Sequence, residues 1–309
     1  VTAMLQPLTL TDPIGPKTPV LDHGYIQAIE AWGCDERIIE AARMSTGKGF
    51  LGWGNSTYIE CLNPNGSCVG YSWQTNSSEN DAITERTDLG LGMRCPFCSA
   101  VLVVNKAKSR IGDGKLLRYL YEHKHATPFE MAGLVIEVQA PIFVFREWRT
   151  HRTCTQTEEE MFWDDAYNEM SARYTPLPYL NYIPTIERLL INSKSNKQAG
   201  TVKGAEELTE EKALEFQAAL SSEYEYQEKI YQTALANGVP KELARIHLPV
   251  GRYSRMRASA NLRNWLAFLT LRMDAAAQWE IRQYANEVGV IISQLYPRTW
   301  ELFVEDKKI

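Results

Sequence analysis

Leu134, Ile136 and Val138 alternate with Val135, Glu137 and Gln139, a two-residue period that predicts a strand with one face buried. Pro141 then suits the first position of a helix, which runs through Ile142, Phe145, Arg146, Trp148, Arg149 and Arg152. Earlier in the chain, Asp35 stands where a helix N-cap should, ahead of Ile38, Ile39, Ala42 and Arg43. Residues 21–32 predict a strand followed by a helix, and 116–123 a further helix. Thr127-Pro128 is a turn signal ahead of the 134–139 strand. Residues 192–212 are rich in Lys, Ser, Gly and Glu and predict a mobile connection or a polar helix start. The helix that follows reaches Asn237, where Gly238 stops it; Pro240 opens another, and 261–304 is mostly helical. The first twenty residues form an irregular arm, and no internal repeat is present.

Between residues 46 and 110 this patterning lapses. Gly, Asn, Ser and Thr dominate there, and four of the six cysteines fall in the same stretch, so it is expected to be an insertion with its own small fold. The whole chain has 309 residues, enough for one large domain or two modest ones, with 44% hydrophobic and 23% charged residues. A formal charge of −5 argues against a chain whose main task is to neutralise a phosphate backbone. The most apolar stretch, 134–145, carries Glu137 and Gln139 and falls short of a membrane span. No basic-then-apolar leader is visible, so a cytoplasmic location and reduced cysteines are expected, and clustered cysteines then read as a metal site before disulfides.

Four constellations could carry chemistry. Arg146-Glu147-Trp148-Arg149-Thr150-His151-Arg152 puts Arg146 and Arg149 on one helix face, which suits an anion or, alternatively, a solvated basic face paired with Glu158 to Glu160. Asn168-Glu169-Met170-Ser171-Ala172-Arg173-Tyr174 is too polar and varied for a core element; it fits a loop gripping a phosphorylated or heterocyclic ligand, or a capped turn. His125-Ala126-Thr127-Pro128-Phe129-Glu130 offers a histidine that more often has a structural role than a basic one. In the set Arg245, Asn261, Arg263 and Arg272, the last lies among Trp265, Phe268, Leu269 and Leu271 and needs a partner, either a ligand phosphate, a base carbonyl or a carboxylate.

Together these segments resemble the flavin-dependent thymidylate synthases, the ThyX family. The family signature is Arg-His-Arg, a short spacer, then Asn-Glu-x-Ser-x-Arg-Tyr; His151-Arg152 and the run from Asn168 to Tyr174 match it. Ala41-Ala42-Arg43-Met44-Ser45, His125 to Glu130, Ala140-Pro141-Ile142-Phe143-Val144, Glu242 to Pro249 and Asn261 to Ile281 agree as well, so the resemblance runs over 20–45 and 116–304. It implies an α+β mixed fold with a central antiparallel sheet and long helices, in homotetramers whose active sites draw on more than one subunit. It implies binding of FAD, NADPH, 5,10-methylenetetrahydrofolate and a pyrimidine nucleoside monophosphate. The carbon unit passes from folate to C5 of uracil, most simply dUMP to dTMP, with hydride from reduced flavin and no attacking cysteine.

By the same resemblance Ser45, Thr127, Glu130, His151, Arg152, Asn261 and Arg263 are flavin-binding positions. Glu169, Ser171, Ala172, Arg173 and Arg245 are nucleotide-binding positions, Glu147 and Arg149 lie near the nucleotide, and Arg272 matches the arginine that contacts the base. Arg272, Ser171 and Glu169 are the residues expected at the chemistry. A guanidinium on a base carbonyl stabilises developing negative charge, and Arg173 and Arg245 suit a 5′-phosphate by fork geometry.

Four departures set this chain apart. Glu147 stands where the family usually has Gln, Thr150 where it has Arg, and Ala276 where it has a flavin-contacting His. The fifteen residues 153–167 make a spacer much longer than the family's. The loop is either a rearranged dUMP site or a site for another acceptor: UMP, as in a nucleoside-antibiotic methylase, a cytosine nucleotide such as dCMP, or a hydroxymethyl product. A non-catalytic binding protein on the same fold is the alternative of another class. The expected organisation is a catalytic domain of 1–45 and 111–309 around the 46–110 insertion, which ordinary family members lack. There Cys95 and Cys98 have zinc-knuckle spacing and Cys61 and Cys68 a looser one, which predicts a structural four-cysteine zinc site, against free cysteines or a disulfide. Six Lys/Arg against five Asp/Glu in 46–110 make no basic patch, so nucleic acid is not an expected partner.

Overall fold

The computed structural model describes residues 12–54, 56–61, 72–75, 99, 102–110, 112–150, 154–156, 161–163, 165–191 and 200–308, with 56–61, 72–75, 102–110, 154–156 and 161–163 described through the backbone alone. His151, Arg152, Cys68, Cys95 and Cys98 lie outside the described residues, as do Glu158 to Glu160.

In chain order the strands are β1 (Thr18–Val20), β2 (Gly24–Trp32), β3 (Ser56–Cys61), β4 (Ser72–Thr75), β5 (Leu102–Arg110), β6 (Gly133–Pro141), β7 (Cys154–Gln156), β8 (Met161–Trp163), β9 (Ala166–Glu169) and β10 (Tyr253–Asn261). The helices are α1 (Asp35–Arg43), α2 (Gly114–Glu122), α3 (Ala126–Glu130), α4 (Ile142–Thr150), α5 (Ile186–Leu190), α6 (Glu210–Ala236), α7 (Lys241–Ala244), α8 (Leu262–Arg272), α9 (Trp279–Leu295) and α10 (Pro297–Lys307), with 3₁₀ turns at Met44–Thr46 and Arg245–His247. Two compact units result, one of Val1–Cys34 with Phe129–Ile309 and the other Asp35–Pro128.

The first unit is built on a five-stranded sheet in the order β1-β2-β6-β10-β9, every pair antiparallel. Leu134, Ile136, Val138 and Ala140 of β6 and Met256, Ala258 and Ala260 of β10 are buried, while Arg255 and Arg257 point the other way and are exposed. The covered face packs on helices: Trp265 Nε1 donates to Leu134 O at 3.0 Å, Tyr284 OH to Gln139 O at 2.8 Å and Tyr296 OH to Gly133 O at 2.6 Å. Trp148 of α4 stacks on Phe268 of α8, with centroids 4.8 Å apart, and meets Trp265 and Tyr284 edge-on. Such aromatic geometry fixes the helices in register as well as burying area. Gly24, at the start of β2, has no room for a side chain, since a Cβ there would lie 2.0 Å from Tyr284 OH and 2.5 Å from Val20 O. Just past β2, Gly33 combines φ of +73° with a backbone approach of 2.6 Å to Met131 O, which only glycine accommodates.

Three local expectations differ from the structure. Residues 24–32 form one bulged strand rather than a strand and a helix, because Ile26 and Ala28 face the core at a period of two beside β6. Residues 126–130 are a short helix rather than a turn, with Pro128 in the first turn where its missing N–H costs nothing. β10 is an interior strand that the sequence pattern did not reveal, its inward positions being Ser254, Met256, Ala258 and Ala260, with Arg255 and Arg257 facing outward.

In the second unit β4, β3 and β5 form an antiparallel sheet. Asp113 is fully buried; it accepts from Arg43 Nε at 2.9 Å and from the Leu51 N–H at 2.6 Å, so a single carboxylate ties the end of α1 to the segment before β3. Among the described residues no helix is long and apolar enough to cross a membrane.

Candidate active site

Val144, Phe145 and Trp148 give α4 its buried stripe. The flanking positions Glu147, Arg149 and Thr150 are thereby left at the helix margin, beside neighbouring elements. Arg272 is the last residue of α8 and falls one turn beyond Phe268, the residue stacked on Trp148. That stacking delivers the guanidinium to the C-terminal turn of α4. Arg272 Nη2 donates to Glu147 O at 2.6 Å and to Thr150 Oγ1 at 2.9 Å, while Nη1 lies 3.5 Å from Glu147 Oε2. Arg272 Nε is buried with no hydrogen-bond partner among the described residues. The partner that Arg272 required is thus a carboxylate and a helix carbonyl of its own chain.

Glu169 ends β9 opposite Met256 of β10. Met256 points into the core, so Glu169 projects toward the helices and forms an ion pair with Arg149 at 2.9 Å. Arg149 and Thr150 are adjacent, and the last turn of α4 therefore meets both Arg272 and Glu169. The Arg272 side chain is 16% exposed and that of Glu169 21%, whereas Glu147 is 46% exposed and Arg149 41%, so the outer members of both pairs stay accessible.

Beyond Glu169 the Met170 N–H continues the pairing to Arg255 O at 2.7 Å, and the chain then turns. Ser171 O accepts from the N–H groups of Tyr174 and Thr175, Ser171 Oγ accepts from the Arg173 N–H at 3.3 Å, and Ala172 is buried. This turn is fastened to α7, with Arg173 paired to Glu242 at 3.3 Å and Lys241 Nζ donating to Tyr174 O at 2.9 Å. Arg245 lies in the 3₁₀ turn that continues α7. Ser171, Ala172 and Arg173 thus lie in this turn, and Arg245 directly follows the α7 residues that fasten it. Lys241 was not anticipated, and Glu242 was visible only as part of a matched segment.

Glu130, Asn261 and Arg263 come together at the start of α8. Asn261 caps the helix, its Oδ1 accepting from the Asn264 N–H at 2.9 Å, and Arg263 pairs with Glu130 at 2.7 Å, both about one-third exposed. Asn264 Nδ2 reaches Asp165 Oδ1 at 3.0 Å, tying this end to the far side of the 153–167 spacer. An exposed guanidinium at the positive end of a helix suits the diphosphate of a flavin dinucleotide. Ser45 and Thr127 are exposed residues of the second unit; Ser45 Oγ donates to Ala42 O at 3.2 Å. Of the expected zinc ligands only the Cys61 backbone is described, at the end of β3. Among the described residues no group of His, Cys, Asp or Glu could hold a metal ion.

Arg149 and Arg173, whose guanidinium side chains are both exposed, suit a small anionic molecule that also offers hydrogen-bond acceptors, as a nucleotide does. Comparison with known proteins makes this specific. The family model described as thymidylate synthase complementing protein matches residues 28–298, and the chain belongs to that family. A flavin-dependent thymidylate synthase of Dictyostelium discoideum is 37% identical over 227 residues, spanning 73% of this chain and 70% of that protein. One from Thermus thermophilus is 31% identical over 292 residues, spanning 94% and 80%. Among solved structures, the UMP/dUMP methylase PolB of Streptomyces cacaoi bound with 5-Br UMP shares the fold, with a TM-score of 0.61 at 20% identity over 94% of this chain and 97% of that one. The protein is a flavin-dependent enzyme of the thymidylate synthase type.

Proposed function

We propose that the protein transfers the one-carbon unit of 5,10-methylenetetrahydrofolate to C5 of a uracil nucleotide, converting dUMP to dTMP. The observation that carries this reading is Arg272, fixed at the end of α4 beside the Arg149–Glu169 pair in a chain of this family. Arg272 would face a carbonyl of the base and stabilise negative charge as it develops on the ring. Arg173 and Arg245 would hold the 5′-phosphate, with Ser171 and Glu169 hydrogen-bonding the nucleotide and the Ala172 backbone lining it. Glu130, Asn261 and Arg263, with Ser45, Thr127, His151 and Arg152, would hold FAD. Bound flavin, reduced by NADPH, supplies the hydride that completes the methyl group. No strong nucleophile is needed where binding aligns the reactants.

The same chemistry on UMP is a second reading, favoured by Glu147 and Thr150. Both are engaged with Arg272, and neither brings positive charge to the nucleotide. PolB, of the same fold, is named for both UMP and dUMP. We further propose cytoplasmic homotetramers with shared sites, and a structural zinc held by Cys61, Cys68, Cys95 and Cys98 in a 46–110 module.

The test is a product assay. The FAD-loaded protein is given NADPH and methylenetetrahydrofolate with dUMP, UMP, dCMP or CMP in turn, and products are read by mass. One methyl group gained on dUMP supports the first reading, and one gained on UMP the second. A flavin-loaded protein that alters none of the four refutes both.

A further inference from the structure

We propose that Glu147 and Thr150 are positioning residues that act through Arg272 and do not themselves hold the nucleotide; this inference rests on the proposed function. A guanidinium has five N–H donors and can swing on a flexible stem. Here Nη2 is saturated by Glu147 O and Thr150 Oγ1, and the Thr150 hydroxyl spends its own proton on Glu147 O at 2.8 Å. Glu147 Oε2 stands over Nη1 at 3.5 Å. All three oxygens come from two residues three apart on one helix face. One of them belongs to the last turn of α4, where carbonyls lack helical partners and the helix end is negative.

Among the described residues the Glu147 carboxylate makes no other polar contact. The cation is therefore oriented before any nucleotide arrives, and Nε and the remaining Nη1 proton are the donors not yet committed. A neutral Gln could accept the same hydrogen bond at position 147, so what this side chain supplies is the place where the guanidinium lies.

Glu147→Ala, Glu147→Gln and Thr150→Val are compared in the holoenzyme, alone and combined with Arg272→Ala. The measurements are kcat, KM, nucleotide affinity by calorimetry, and the melting temperature. Misplacing a group by about 1 Å costs up to about a hundredfold, so E147A is expected to lower kcat by roughly tenfold to a hundredfold with a much smaller change in KM. E147Q is expected to recover most of that loss. E147A added to Arg272→Ala is expected to lose less than about twofold more, because residues acting through one group are not additive. Should Arg272→Ala fail to fold, E147A and T150V combined carry the same test, since both losses pass through one guanidinium. Multiplicative losses, a rise in KM with kcat unchanged, or failure of E147Q to recover activity would each overturn the inference. An unaltered enzyme that binds dUMP or UMP without converting it refutes the proposed reaction instead, and the same non-additivity is then read in affinity. A protein that neither binds nor converts either nucleotide overturns both.

Discussion

Alkaline pH provides a sharp perturbation of this fold, because three buried tyrosines, one of them in the sheet itself, resist ionisation. Tyr182 OH donates to Glu280 Oε1 at 3.2 Å, Tyr253 OH donates to Asp22, and Tyr284 OH donates to Gln139 O at 2.8 Å. Burial is the largest influence on each and pushes its pKa well above the ordinary 10.0. Neighbouring charge adds to this: Glu280 for Tyr182, Tyr284 and Asp22 for Tyr253, and Asp22 and Tyr182 for Tyr284. The sign follows from linkage. Below pH 10 both folded and unfolded chains keep these protons and stability does not depend on them. Above it the unfolded chain releases three protons that the folded chain retains, so stability falls as pH rises toward the native values. At about 1.4 kcal/mol per proton per pH unit, three tyrosines make a slope of about 4 kcal/mol per pH unit. A stability of about 5–15 kcal/mol would be exhausted within roughly one to four pH units. Tyrosinate absorbance and far-ultraviolet circular dichroism are followed together through the titration. Of the 15 tyrosines, these three should ionise only as the helices melt, and Tyr253→Phe should reduce the slope by about a third. Ionisation of all 15 near pH 10 with the dichroism intact would refute the reasoning.

Glu280 is buried and holds Arg188 through two contacts of 2.7 and 3.3 Å as well as Tyr182; Glu280→Ala should cost about 3–5 kcal/mol in urea denaturation, and a loss under about 1 kcal/mol would show the network to be dispensable. Arg263→Ala removes an accessible cation from the start of α8 and should weaken FAD binding by about tenfold to a hundredfold in a flavin titration, the worth of one charge-assisted hydrogen bond. Native mass spectrometry should find one zinc per chain; a metal-free protein with full activity counts against the four-cysteine site.

Much of the architecture was legible because burial left a period in the sequence. The alternation through 134–139 marks β6, and Val144, Phe145 and Trp148 mark the inner face of α4. β10 was not legible, since Arg255 and Arg257 occupy outward positions of an interior strand whose inward residues, Met256 apart, are small and polar or weakly apolar. Within the site, motif order singled out Arg272, Glu169 and Arg173 as candidates. Which carboxylate meets which arginine was not recoverable, because the Glu147–Arg272 contact spans 125 positions and depends on Trp148 stacking on Phe268. Thr150 counted in the sequence only as a lost cation. In the structure its hydroxyl bridges a helix carbonyl and a guanidinium that is distant in sequence.

Trp32 and Gly133 face each other across β2 and β6, so the chain leaves the sheet and rejoins it one strand spacing away. Everything between them is a closed loop of about 100 residues, and each doubling of such a loop costs only about 0.6 kcal/mol of closure entropy. The sheet is therefore nearly indifferent to how much chain is spliced in at this point, provided the spliced segment returns its ends together. Folding is not indifferent in the same way. Strands β2 and β6 can zip only as that long excursion closes, so anything that draws its ends together first would lower the entropic barrier to pairing them.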